Sequence, residues 1–161
     1  MKIQNKNIVN KLNKKKLKIS IAESCTGGLL SSSITSISGS SKVFNLGLVT
    51  YSNESKIKVL KVSKKFIKKY GAVSKQVCLA MVKNVAKIGK TKMSISVTGI
   101  AGPSGGSIAK PVGLVQFCIK GPSVKFSFPE NFQSTISRIG IQKLSVLKAL
   151  NQLRLFLLNK S

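Results

Sequence analysis

Three segments place small hydroxyl residues and glycines where a strand hands over to a loop, which is where open α/β sheets bind ligands. The first is Ala22-Glu23-Ser24-Cys25-Thr26-Gly27-Gly28. Free backbone N–H groups at a helix start, helped by Ser and Thr hydroxyls, can hold a phosphate. An ordinary capped strand-to-helix loop fits the same spacing equally well. The second is Gly39-Ser40-Ser41, followed ten residues on by Tyr51-Ser52-Asn53-Glu54-Ser55-Lys56. A serine needs a base to act as a nucleophile, and with no His in the chain a lysine is the best remaining partner. Lys56 can serve only if burial or neighbouring positive charge lowers its pKa. Read one by one, Ser41 is a turn serine and Lys56 a surface lysine. The third is the loop from Gly99 to Pro111, with four glycines and two prolines. Its length and glycine content favour a ligand site over a bare surface loop.

Composition removes most rival chemistries. The chain has 161 residues, 28 Lys plus Arg, three acids (Glu23, Glu54 and Glu130) and no His. A Ser-His-Asp triad cannot be built. A His-based zinc site is excluded, and Cys25, Cys78 and Cys118 are too few for a four-thiolate one. No metal or other cofactor is expected. A two-carboxylate glycosidase would need two of the three glutamates close together. The remaining bases are Lys, Tyr, Glu and water.

A net charge of +25 suggests nucleic acid as a partner, but 26 of the 28 cations are lysines. Base-edge readout and bidentate phosphate clamps lean on arginine, so the excess reads as coding bias and solvated faces. Three cysteines without repeated spacing indicate no disulfide framework. No run approaches the ~18 apolar residues of a membrane span, and the basic N-terminus lacks the apolar core of a signal peptide. A single cytoplasmic domain over 1–161 is expected.

The elements that must position these residues follow from periodicity. Residues 3–16, 29–37, 53–60 and 66–70 read as helices, with Asn53 a candidate N-cap. Ser74 can cap a longer helix to Ile88 whose buried stripe is Val77, Cys78, Met81, Val82 and Val85. Residues 17–22, 44–51, 93–98, 112–119 and 124–128 read as strands. Met93 to Thr98 alternates strictly, setting Ser94, Ser96 and Thr98 on one face. Lys120-Gly121-Pro122-Ser123 suggests an antiparallel hairpin. Residues 136–158 form a long helix with Ile139, Leu144, Leu147, Leu150, Leu153 and Leu157 as its apolar face, wide enough for a homodimer. Helices alternating with strands imply a three-layer α/β/α domain with a mixed, mostly parallel sheet and one antiparallel hairpin.

Taken together, Ala22–Gly28 (AESCTGG), Gly39–Ser41 with Val43–Phe44, Val49–Asn53 (VTYSN) with Lys56, Gly71–Ser74 (GAVS), Val97–Pro103 (VTGIAGP) and Lys110–Gly113 (KPVG) resemble, in order and spacing, the CinA C-terminal domain family of nicotinamide-nucleotide amidases (NMN deamidases). The resemblance runs from about Ile19 to Phe117. It implies metal-free hydrolysis of nicotinamide mononucleotide to nicotinate mononucleotide and ammonia, within pyridine nucleotide salvage, by a serine-lysine mechanism. By carry-over, Ser41 is the nucleophile, Lys56 its base and Tyr51 a partner in proton transfer. Backbone N–H groups near Ser40–Ser41 would hold the oxyanion. Ser24, Thr26, Gly27, Gly28, Thr98, Gly99, Gly102 and Gly105 are expected to bind substrate.

Two departures stand out. The family's G-D-R stretch before the last helix is here Phe128 to Gln133, with Arg138 nearby but out of register. The separate N-terminal domain of longer CinA proteins is not represented, so no pyrophosphatase activity is implied. The alternative reading is a weakly active or non-catalytic nucleotide-binding, competence-associated protein with nonspecific DNA affinity.

Overall fold

The structure, a computed structural model, describes residues 2–158, with side chains from residue 5. In chain order the elements are α1 (Lys2–Lys14), β1 (Ile19–Glu23), α2 (Leu29–Thr35), a 3-10 turn (Ser40–Lys42), β2 (Phe44–Val49), α3 (Asn53–Lys58), α4 (Lys64–Tyr70), α5 (Lys75–Ile88), β3 (Met93–Gly99), β4 (Leu114–Lys120), β5 (Lys125–Asn131) and α6 (Arg138–Leu158). The strands form one sheet in the order β2-β1-β3-β4-β5. β1 runs parallel to β2 and β3, and β4 runs antiparallel to β3 and β5. The parallel half is therefore β2-β1-β3, and the β4–β5 hairpin extends it.

Helices cover both faces. α1, α2 and α6 pack on one and α5 on the other, giving the three-layer architecture. Burial on both sides explains β3. Its residues Met93, Ile95 and Val97 enter the core beneath α1 and α6. Its hydroxyl face lies against α5, where Ser94 Oγ donates to Val82 O at 2.9 Å and Ser96 Oγ to Cys78 O at 2.8 Å. Small hydroxyls keep the helix close to the sheet, and each finds a carbonyl, so none is left unpaired on burial. On the α5 side Val77, Cys78, Met81, Val82 and Val85 are all buried. Ser74 caps the helix, its Oγ accepting from Val77 N at 3.3 Å.

Two local expectations change. Ser52, rather than Asn53, caps α3, because it has extended backbone (φ −81°, ψ 160°) and its Oγ accepts from Ser55 N. On α6, Leu150, Leu153 and Leu157 are buried as expected, but Ile139 is half exposed and Ile141, Val146 and Ala149 are buried instead. The helix packs against α1 and α2 as well as the sheet, which turns its buried face away from the simple leucine stripe. Its first two turns carry polar residues toward the strand ends.

β1 lies between two parallel neighbours, one reached through α2 and the other through α5, on opposite faces. The chain thus opens a crevice at the carboxyl ends of β1, β2 and β3. This is the switch point where such sheets bind ligands.

Candidate active site

Glu23 ends β1 with its side chain fully buried. Its carboxylate accepts from Gly28 N (3.1 Å), Leu30 N (3.0 Å), Ser31 N (2.8 Å) and Ser31 Oγ (2.6 Å). The acid therefore supplies the start of α2 with the acceptor that Gly28, at φ 99°, cannot provide. The cap folds residues 24–27 tightly back over the strand end. It also uses the N–H groups a phosphate would need, so of the two readings left open for this segment the structure has the ordinary capped loop. Thr26 is fully buried, and Gly27 and Gly28 face Gln142 and Val49. These three expected substrate contacts do not line the cavity.

β2 ends beside β1, where Thr50 N donates to Glu23 O at 2.8 Å. The chain then turns into α3, and Lys56 reaches back under the turn. Its Nζ lies 2.9 Å from Ser24 Oγ, 2.9 Å from Thr50 O and 3.1 Å from Tyr51 O. Lys56 is 1% exposed, among the largest fully buried side chains of the described residues. Loss of water disfavours the ammonium and lowers its pKa from 10.5 to about 8, with the nearby Cys25 thiol opposing the shift. The glutamates are engaged elsewhere: Glu23 on α2, Glu54 with Lys58 and Glu130 with Lys148.

The three partners fix what the neutral amine can do. It has two N–H donors and one lone pair. Thr50 O and Tyr51 O can only accept, so they take the two N–H groups. Ser24 Oγ alone can donate, so the lone pair is left for the Ser24 proton.

The opposite walls come from the ends of β3 and α4 and the start of α6. Thr98, Gly99, Gly102 and Gly105 line a cavity of about 470 Å³ together with Ser24, Cys25, Tyr51, Asn53, Lys56, Ala72, Val73 and Arg138. Thr98 Oγ1 donates to Ala72 O at 3.1 Å, joining two of those walls. Cys25 is buried, which pushes its thiol up to about 12 and leaves it protonated near neutrality.

The structure brings together Ser24, Lys56, Tyr51, Thr98, Gly99, Gly102 and Gly105, but not Ser41. Ser41 is exposed in the 3-10 turn before β2, whereas Lys56 follows β2. The six residues of that strand, at about 3.3 Å each, set the two sites about 20 Å apart. The serine beside Lys56 is therefore Ser24 and not the expected Ser41. Tyr51 lies at the cavity mouth, and its hydroxyl accepts from Arg138 Nη2.

Sequence reasoning left Arg138 out of register. The structure places it in the cavity wall, where Nη1 also donates to Gly102 O at 2.7 Å. One turn on, Gln142 Nε2 donates to Cys25 O at 2.8 Å. This i,i+4 pair holds the glycine loop, Tyr51 and the loop after Ser24. Its sequence signal was scarcity, since Arg138 is one of only two arginines.

Residues 2–157 match the family model described as the CinA C-terminal domain. A "CinA-like protein" of Prochlorococcus marinus (strain MIT 9301) is 52% identical over 155 residues, covering 96% of this chain and 37% of that protein. One from strain MIT 9312 is 53% identical over 154 residues, covering 95% of this chain and 36% of that protein. The chain thus spans little more than a third of the length of these curated relatives. Among solved structures, the competence/damage inducible protein CihA from Agrobacterium tumefaciens superposes with a TM-score of 0.91 at 37% identity, covering 94% of this chain and 92% of that one. The competence damage-inducible protein A (ComA) from Klebsiella pneumoniae superposes with a TM-score of 0.94 at 25% identity, covering 99% and 98%.

Proposed function

The chain belongs to the CinA C-terminal domain family, and from that premise we propose that it is an amidohydrolase converting nicotinamide mononucleotide and water to nicotinate mononucleotide and ammonia. The observation that carries this reading is the buried 2.9 Å contact between Lys56 Nζ and Ser24 Oγ. The family resemblance supplies the substrate; the geometry supports a serine nucleophile with a lysine base.

In the proposed reaction neutral Lys56 takes the Ser24 proton as Oγ bonds to the carboxamide carbon. The carbonyl π electrons move to oxygen, and the oxyanion is held by the backbone N–H of Cys25, which lines the cavity next to the nucleophile. When the intermediate collapses, the C–N bond breaks and the Lys56 ammonium returns its proton to the departing nitrogen, releasing ammonia. Water then attacks the acyl-serine, losing a proton to Lys56, and Ser24 leaves with that proton restored.

The cavity suits an anionic substrate. Beside the base Lys56 its lining holds the cation Arg138 and no acidic residue. Arg138 at the mouth is placed to pair with a phosphate, its planar donors matching phosphate oxygens. Incubating the protein with nicotinamide mononucleotide and measuring ammonia and nicotinate mononucleotide together tests the reading. Equal, time-dependent formation of the two is expected, and formation of neither would overturn it.

A further inference from the structure

Two segments singled out in the sequence, Gly71–Ser74 and Lys110–Gly113, meet in space. Lys110 Nζ donates to Tyr70 O at 2.5 Å, across 40 residues of sequence. Tyr70 ends α4, so its carbonyl lies at the negative end of that helix. The next residue is glycine, and a Cβ there would stand 2.7 Å from Lys110 Nζ, so any larger residue would displace the ammonium from this position. In a chain of net charge +25, with Lys68 and Lys69 in the same helical turn, charge repulsion drives this ammonium outward. The backbone contact holds it in place against that repulsion.

Each end of the contact leads to a cavity wall. On one side the chain continues from Gly71 into Ala72 and Val73, which line the cavity. On the other, Lys110 closes a tight turn, with Ser107 N donating to Lys110 O at 2.8 Å and Lys110 N to Ser107 O at 3.1 Å. Two residues on, Val112 packs into the glycine loop so closely that a Cβ on Gly102 would lie 2.5 Å from Val112 Cγ1, and one on Gly106 2.8 Å from Val112 N. Gly102 itself lines the cavity. Lys110 does not.

We propose that Lys110 is a positioning residue: its bond to Tyr70 O latches the glycine loop to the Gly71–Val73 segment and so sets the width of the substrate pocket. The inference rests on the amidase reading for its kinetic consequence, but the latch itself is testable without turnover. Hydrogen bonds to charged groups are the stronger ones, so an opening of the loop by about tenfold or more is expected when the bond is removed.

The test compares the full chain with Lys110→Met and Lys110→Arg, Lys110→Gln replacing the Met variant if that one does not fold. Amide hydrogen exchange at 99–113 and 71–73 is expected to quicken about tenfold in the Met variant, with the sheet unchanged. With nicotinamide mononucleotide, KM is expected to rise about tenfold with kcat within about twofold, and Lys110→Arg to restore most of the difference. Unchanged exchange in these segments would overturn the latch. So would a general increase across the sheet with a lower Tm, or a kcat loss as large as the KM change. If the unsubstituted protein releases no ammonia, the amidase reading fails and the exchange comparison alone decides the latch.

Discussion

Lys56 Nζ stands 2.9 Å from Ser24 Oγ, although 32 residues separate them in sequence. The contact exists because β1 and β2 run parallel, so the residues that follow each strand emerge at the same edge of the sheet. Burial then supplies what histidine supplies elsewhere, an amine whose neutral form is populated near neutral pH.

The first prediction concerns rate against pH. In the proposed mechanism the neutral amine is the active form, and burial brings the Lys56 pKa to about 8. kcat/KM should rise with pH through about 8 and then level off. Lys56→Met should remove activity at every pH, and so should Lys56→Arg, whose guanidinium stays protonated. A rate that falls across this range, or activity retained in the Met variant, would count against the base.

The same shift makes a stability prediction. Between about pH 8 and the ordinary lysine value of 10.5, the unfolded chain binds a proton at Lys56 that the folded chain has released. The unfolded state holds more protons there, so folding stability gains as pH rises through that window. The gain is about 3 kcal/mol at most, present in full above it and absent below it. Urea unfolding at pH 7.5 and 10 should show the difference between wild type and Lys56→Met shifting by most of this amount toward wild type. A constant difference would mean that Lys56 titrates alike in both states.

Glu23 should matter through structure rather than proton transfer. Its carboxylate accepts four hydrogen bonds at the start of α2 while shielded from solvent. Glu23→Gln puts an NH2 group against backbone N–H donors and should destabilise the protein by about 3 kcal/mol in urea unfolding. Stability equal to wild type would show that the cap is dispensable.

Much of the fold was legible because patterning and burial agree. Strict alternation from Met93 to Thr98 sorted β3 correctly into an apolar and a hydroxyl face, and the Ser74 cap with the stripe from Val77 to Val85 located α5. The site was less legible at one point, and the reason is topological. Ser24 and Ser41 are both loop serines beside glycine, equivalent in local chemistry. They differ in side of the sheet: Ser24 follows a strand and Ser41 precedes one. With β1 and β2 parallel, only the former shares an edge with Lys56. Arg138 was hidden for another reason. Its place in the cavity depends on how α6 packs across the strand ends, which spacing along the chain does not encode.

Arg138 should govern substrate affinity. It donates to both Gly102 O and the Tyr51 hydroxyl at the cavity mouth. Arg138→Met should raise KM about tenfold or more while the change in kcat remains smaller, and Arg138→Lys should recover part of the loss. A loss confined to kcat would place Arg138 in the chemical step instead.

The central claim is that Ser24 is the nucleophile, and a side-by-side assay of Ser24→Ala and Ser41→Ala reads it most directly. With nicotinamide mononucleotide as substrate, Ser24→Ala should release no ammonia above background, while Ser41→Ala keeps a rate within about twofold of wild type. Full activity in Ser24→Ala, or its loss in Ser41→Ala alone, would contradict the account.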